Sequence, residues 1–173
     1  MPYPSNTNEL IARYRIGSVT DVELIGWAEE LLLLDHYSDS VPVLAGYHPQ
    51  YAKSEREDFL STFEQAVVDV GLEPPPLTEA YEKYGEYLCR GIIEGFIKPS
   101  VGHKELYEIW VSCAYKKDTP SSEMFAGFMY LDDSMGLLDE GYDPLLDRLK
   151  GLSVETYPHF LKEECRLFLT RHE

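Results

Sequence analysis

Ser54-Glu-Arg-Glu-Asp-Phe-Leu-Ser-Thr-Phe-Glu-Gln-Ala-Val-Val-Asp-Val-Gly71 decides the fold class of this chain. Its apolar residues Phe59, Leu60, Phe63, Ala66, Val67 and Val70 recur at intervals of three and four, the period of a helix with one face on a core. Ser54 followed by Glu57 has the spacing of a capping box, and Gly71 supplies a left-handed stop. The pattern predicts a helix with both ends marked.

The same signals recur on either side. Asn8 to Ile16 reads as a short helix ended by Gly17. Thr20 with Glu23 opens another, whose stripe is Leu24, Trp27, Ala28, Leu31 and Leu32. Val41 to Ala45 could pass for a strand, but Ser40-Val-Pro at its head reads equally well as the cap and first turn of a short helix. Beyond Gly71, the triplet Pro74-Pro-Pro76 forbids helix in its vicinity, which predicts an elbow at 73–77 within a single domain of 1–173. Glu79 to Phe96 follows as a helix with Leu88, Cys89, Ile92, Ile93 and Phe96 inward, ended by Gly95. The next starts at Pro99 and presents Val101, Leu106, Ile109, Trp110 and Cys113. A turn at 116 to 120 leads to a helix carrying Met124, Phe125, Phe128 and Met129. Asp132 to Tyr142 has two glycines and poor periodicity and reads as a loop, Pro144 to Lys150 as a short helix. Val154 to Arg171 reads as the last helix, burying Tyr157, Phe160, Leu161, Cys165 and Phe168. No segment alternates with period two. The expectation is therefore all-α: a helical bundle or short αα-hairpin solenoid of about six to eight helices.

Composition agrees. High charge with few aromatics marks disorder, but 13% aromatic and 44% hydrophobic residues in 173 supply a core. The N-terminal MPYPSNTNEL has neither a cationic nor an apolar stretch, so no signal peptide and no membrane span are expected. Three cysteines, Cys89, Cys113 and Cys165, sit singly in apolar helical patterns, and Cys113 reads as a small buried hydrophobe. A reduced, cytoplasmic protein is the simplest account.

Two stretches share a grammar of helix, Gly, any residue, β-branched residue, polar cap, helix and Trp. One runs through Gly17-Ser-Val19 to Trp27, the other through Gly95-Phe-Ile97 to Trp110; they read as two αα-hairpins. The second belongs to Tyr84-Gly-Glu-Tyr-Leu-Cys-Arg-Gly-Ile-Ile-Glu-Gly-Phe-Ile-Lys-Pro-Ser-Val-Gly-His-Lys-Glu-Leu-Tyr-Glu-Ile-Trp110. That stretch resembles one found in small, acidic, all-helical bacterial proteins of unknown function, some of them toxin-neutralising immunity proteins. Its matching elements, Gly95-x-Ile97-x-Pro99-x-x-Gly102 and Ile109-Trp110, are punctuation and core. The resemblance accordingly implies a fold, and an immunity role only by association.

Charge is the strongest functional signal. Thirty-one acids against fifteen Lys and Arg give a net charge of −16. From Arg15 to Lys53 six acids pass without a base, and from Glu123 to Asp147 seven do. Such a field attracts cationic partners and repels nucleic acid and anionic lipid. The acidic stretch Asp132, Asp133, Asp139, Glu140 and Asp143 reads as a solvated loop or a docking surface for a basic partner; counted from Asp132 or Asp133 it lacks the ligand order of an EF-hand. Tyr81, Tyr84 and Tyr87 step by three along one helix and read as core edge or partner contact. None of the five histidines has metal-ligand spacing, and His159 with Glu163 reads as a surface ion pair. No nucleophile stands in a Gly-rich turn beside a His. Neither a catalytic site nor a cofactor is expected. The leading expectation is an acidic binding protein for a basic protein, most concretely an immunity protein against a cationic toxin. A structural scaffold built of αα-hairpins is the alternative. An enzyme with an unrecognised carboxylate site comes third, and requires two acids of displaced pKa converging in a pocket.

Overall fold

Helix starts and stops dominate the chain because the sequence supplies their chemistry. Thr20 and Glu23 form the complete capping box that opens α2 (Asp21–Leu33): the Glu23 carboxylate accepts from the Thr20 amide at 2.8 Å, and the Thr20 hydroxyl accepts from the Glu23 amide. Gly17, at φ 78°, closes α1 (Thr7–Ile16) in the left-handed region, where its missing Cβ removes the steric cost. The computed structural model describes residues 2–116, 119–144 and 146–171, without the side chains of Tyr51, Lys53 and Ser54, and these residues form an all-α fold with no strand. None of the described helices is long and apolar enough to cross a membrane.

The remaining helices are α3 (Ser40–Ala45), α4 (Pro49–Ser54), α5 (Arg56–Asp69), α6 (Leu77–Glu94), α7 (Pro99–Tyr115), α8 (Ala126–Asp139) and α9 (Tyr157–Thr170), with 3-10 turns at Ser122–Phe125 and Asp147–Leu149. The three prolines lie in the non-helical link at 72–76, and the chain divides into two compact units, Met1–Ala80 and Tyr81–Glu173, in the first turn of α6.

In the first unit α2 packs on α3 and α3 on α5. Their buried residues, among them Leu24, Trp27, Leu31, Leu44, Phe59 and Phe63, make one hydrophobic core. The Trp27 indole N–H sits inside it and donates to the Thr7 hydroxyl at 3.0 Å, since a buried donor costs free energy if left unpaired. Arg13 of α1 ties down the start of α2 through Glu23 and also bonds Glu9.

In the second unit α7 packs against α8 and α9, and α8 against α9. Gly95, at φ 91°, ends α6, and Pro99 occupies the first turn of α7. Gly102 is where those two helices approach: a Cβ there would meet Ile92 Cδ1 at 2.6 Å and Ile97 Cγ2 at 3.1 Å. The Gly95-x-Ile97-x-Pro99-x-x-Gly102 motif is thus a hairpin lock made of a stop, a wedge, a start and a space. Cys89, Cys113 and Cys165 are buried free thiols.

Several expectations need correction. The stretch 132–142 is helical to Asp139, because Phe128, Leu131 and Ser134 continue the buried stripe with a serine in place of an apolar residue. Helix α5 begins at Arg56 with Glu55 in the N-cap position without a side-chain bond; Ser54 belongs to α4, and the Ser54 side chain of the expected capping box lies outside the described residues. Phe96 and Val101 are exposed, at 59% and 53%. Phe96 lies beyond the reversal at Gly95, where the period of α6 no longer applies, and Val101 lies beside the buried arc Gly102, His103, Leu106, Ile109 and Cys113. Pro144 to Lys150 holds only the 3-10 turn; Leu145, and 117 and 118 of the preceding turn, lie outside the described residues. Helix α9 starts at Tyr157 rather than Val154, after a turn in which Ser153 and Thr156 bond each other's backbone amides. Glu163 pairs with Arg166, one turn on, and not with His159.

Candidate functional site

Because α8 is a helix, its acids acquire a common direction. At 100° per residue, Asp132, Asp133, Asp139 and Glu140 fall within an arc of about 120°, opposite the buried Leu131 and Ser134. All four are exposed, as is Asp143 beyond the helix end. Asp132, Asp133 and Glu140 surround a shallow depression floored by Gly136 and Leu137. Among the described residues none of these five carboxylates is in an ion pair; Asp147 and Glu164 hold the nearby Lys150 and Arg148. Asp139 and Glu140 end the helix, where the macrodipole disfavours negative charge, and no base in the last turn offsets them. The arrangement costs local stability and leaves its charge facing solvent.

Asp132 belongs also to a second feature, a cleft of about 370 Å³. Ser100, His103, Lys104 and Tyr107 enter it from one face of α7, Asp132 and Met135 from α8, Val154 from the turn before α9 and Tyr157 from the start of α9. Its polar floor is a fixed relay. His103, only 5% exposed, lies 2.9 Å through Nε2 from the Phe128 carbonyl oxygen and 2.5 Å through Nδ1 from the Tyr157 hydroxyl. A carbonyl only accepts, so Nε2 carries a proton, and in the neutral imidazole Nδ1 accepts from the Tyr157 O–H. Burial, with the field of Asp132 second, pushes the Tyr157 phenol well above its ordinary range and keeps that proton in place. With both imidazole nitrogens and the phenol proton committed, Tyr157 presents an acceptor oxygen.

Of the tyrosines, Tyr81 and Tyr84 are buried at 3% and 5%, and the Tyr84 hydroxyl donates to Glu105. Tyr87 is half-buried and stacks on Tyr84 and against Phe96. Tyr81 and Tyr84 thus offer little surface to a partner, and Tyr87 keeps part of its ring exposed. The carboxylates with displaced pKa are explained by structural partners. Burial raises Glu9 against the pull of Arg13; burial also works to raise Glu23, but bonds from Thr20 and Arg13 outweigh it and hold the carboxyl low. The Ser40 hydroxyl, first among its partners, lowers Asp69. The His103–Tyr157 relay is invisible in the sequence, since its partners lie 54 residues apart. No three His, Cys, Asp or Glu side chains converge as metal ligands among the described residues. No protein-family model, curated protein or solved structure matches the chain.

Proposed function

We propose that this is an acidic helical binding protein whose outer α8 face engages a basic protein, with neutralisation of a cationic toxin as its most concrete form. The observation that carries the reading is the single face bearing Asp132, Asp133, Asp139 and Glu140, exposed and without ion pairs among the described residues, with Asp139 and Glu140 at a helix end that gains nothing structurally from them. A scaffold reading rests instead on exposed apolar groups, among them Phe96 and Val101. The test begins with the basic protein captured on the immobilised chain. Replacing the four acids with Asn or Gln is expected to slow its association about tenfold at low salt, the signature of lost steering. Unchanged association, with collapse on Phe96→Ser and Val101→Ser, would transfer support to the scaffold.

A further inference from the structure

The cleft beside the acidic face has walls and a floor of different chemistry. Its walls are apolar or amphipathic: Tyr107, Met135, Val154 and the ring of Tyr157. Of its polar groups, Tyr157 and Asp132 offer acceptors into the space, beside the Ser100 hydroxyl and the Lys104 ammonium. Tyr157 has spent its proton on His103 Nδ1, and His103 has spent its own on the Phe128 carbonyl, so neither donates into the space. Asp132 adds a carboxylate without an ion-pair partner among the described residues. Lys104, the cation at the rim, is engaged by Glu108 at 3.8 Å. A site of this kind rewards a ligand with several N–H donors, positive charge, and an aliphatic or flat body behind the charged head. At about 370 Å³ it lies at the small end of ligand pockets and has room for one long side chain.

Resting on the acidic-binding reading above, we propose that this cleft is a socket for an arginine side chain of the basic partner. The stem lies along Met135 and Val154, the guanidinium faces Tyr107 and Tyr157, and its donors reach the Asp132 carboxylate and the Tyr157 oxygen. The remaining α8 acids steer the approach; the socket holds one residue and sets register. Arginine suits the site better than lysine because its planar fork satisfies two acceptors at once and stacks on an aromatic face.

The discriminating pair is Asp132 and Asp133. Both are exposed, adjacent and of equal charge, but only Asp132 lines the cleft. N-acetyl-arginine methylamide is titrated against the protein while the methyl resonances of Met135 and Val154 are followed, with N-acetyl-citrulline methylamide as the uncharged isostere. The arginine probe is expected to shift both methyls saturably. Citrulline is expected to bind about tenfold more weakly, as is arginine to Asp132→Asn, whereas Asp133→Asn changes affinity less than about twofold. Melting curves of both variants verify the fold. Equal binding of arginine and citrulline, equal losses in the two variants, or no shift at either methyl would overturn the socket. The acidic-face reading has its own separate test: it falls only if the fourfold neutral variant associates with the basic partner at the original rate.

Discussion

Thr7 is the residue on which the first core closes its polar account. Its hydroxyl is the partner of the buried Trp27 indole, so Thr7→Val, which preserves shape, strands that N–H and is expected to cost about 1–3 kcal/mol in denaturant unfolding. An unchanged midpoint would show that the indole finds another acceptor. Cys113 gives a pH prediction of definite sign. Burial pushes its thiol from 9.0 up to about 11, so the folded state holds the proton more tightly than the unfolded chain does. That contribution is complete below pH 9 and is lost as pH rises from 9 to about 11. The buried Cys89 thiol, raised first by burial and then by its bond with Cys165, adds in the same direction. The melting temperature should fall across this window, and Cys113→Ala should show a smaller fall; identical slopes would refute the assignment. At this scale the sequence was legible where chemistry is local. Thr20 with Glu23, and the apolar setting of Cys113, declare themselves within a few residues. His103 did not, because both of its partners come from other elements.

Among the elements, the α6–α7 hairpin and α8 show opposite uses of glycine. Gly102 stands where a Cβ would meet the fully buried Ile92, so Gly102→Ala is expected to destabilise by about 1–3 kcal/mol through overpacking. Gly136, in the outer face of α8, has nothing within 4 Å, and Gly136→Ala is expected to stabilise by about 0.5–1 kcal/mol through helix propensity alone. Chemical denaturation of the two variants reads both signs; a stabilised Gly102→Ala would mean that the hairpin is looser than described. Gly136 also explains why α8 was hard to read. Its acids occupy the outward positions, its glycines lower propensity, and its inward stripe passes through Ser134, so a period of 3.6 was present but written in polar letters. The long helices flanked by Gly17, Gly71 and Gly95 had no such disguise.

For the molecule as a whole, a net charge of −16 implies self-repulsion in the folded state. Addition of about 0.3 M sodium chloride is therefore expected to raise the melting temperature by screening. A flat or falling response would mean that the acids are mostly paired or too far apart to interact. The charge excess was plain in the composition, but its direction was not: only the helical geometry of α8 gathers four acids onto one face, and only the fold sets one of them at the mouth of a cleft. The most direct measurement is the low-salt association rate of the captured basic protein with the variant carrying Asp132→Asn, Asp133→Asn, Asp139→Asn and Glu140→Gln. The account predicts association slowed about tenfold in a protein at least as stable as the original, since charges opposed to the helix dipole have been removed. An association rate equal to that of the unaltered protein would contradict it.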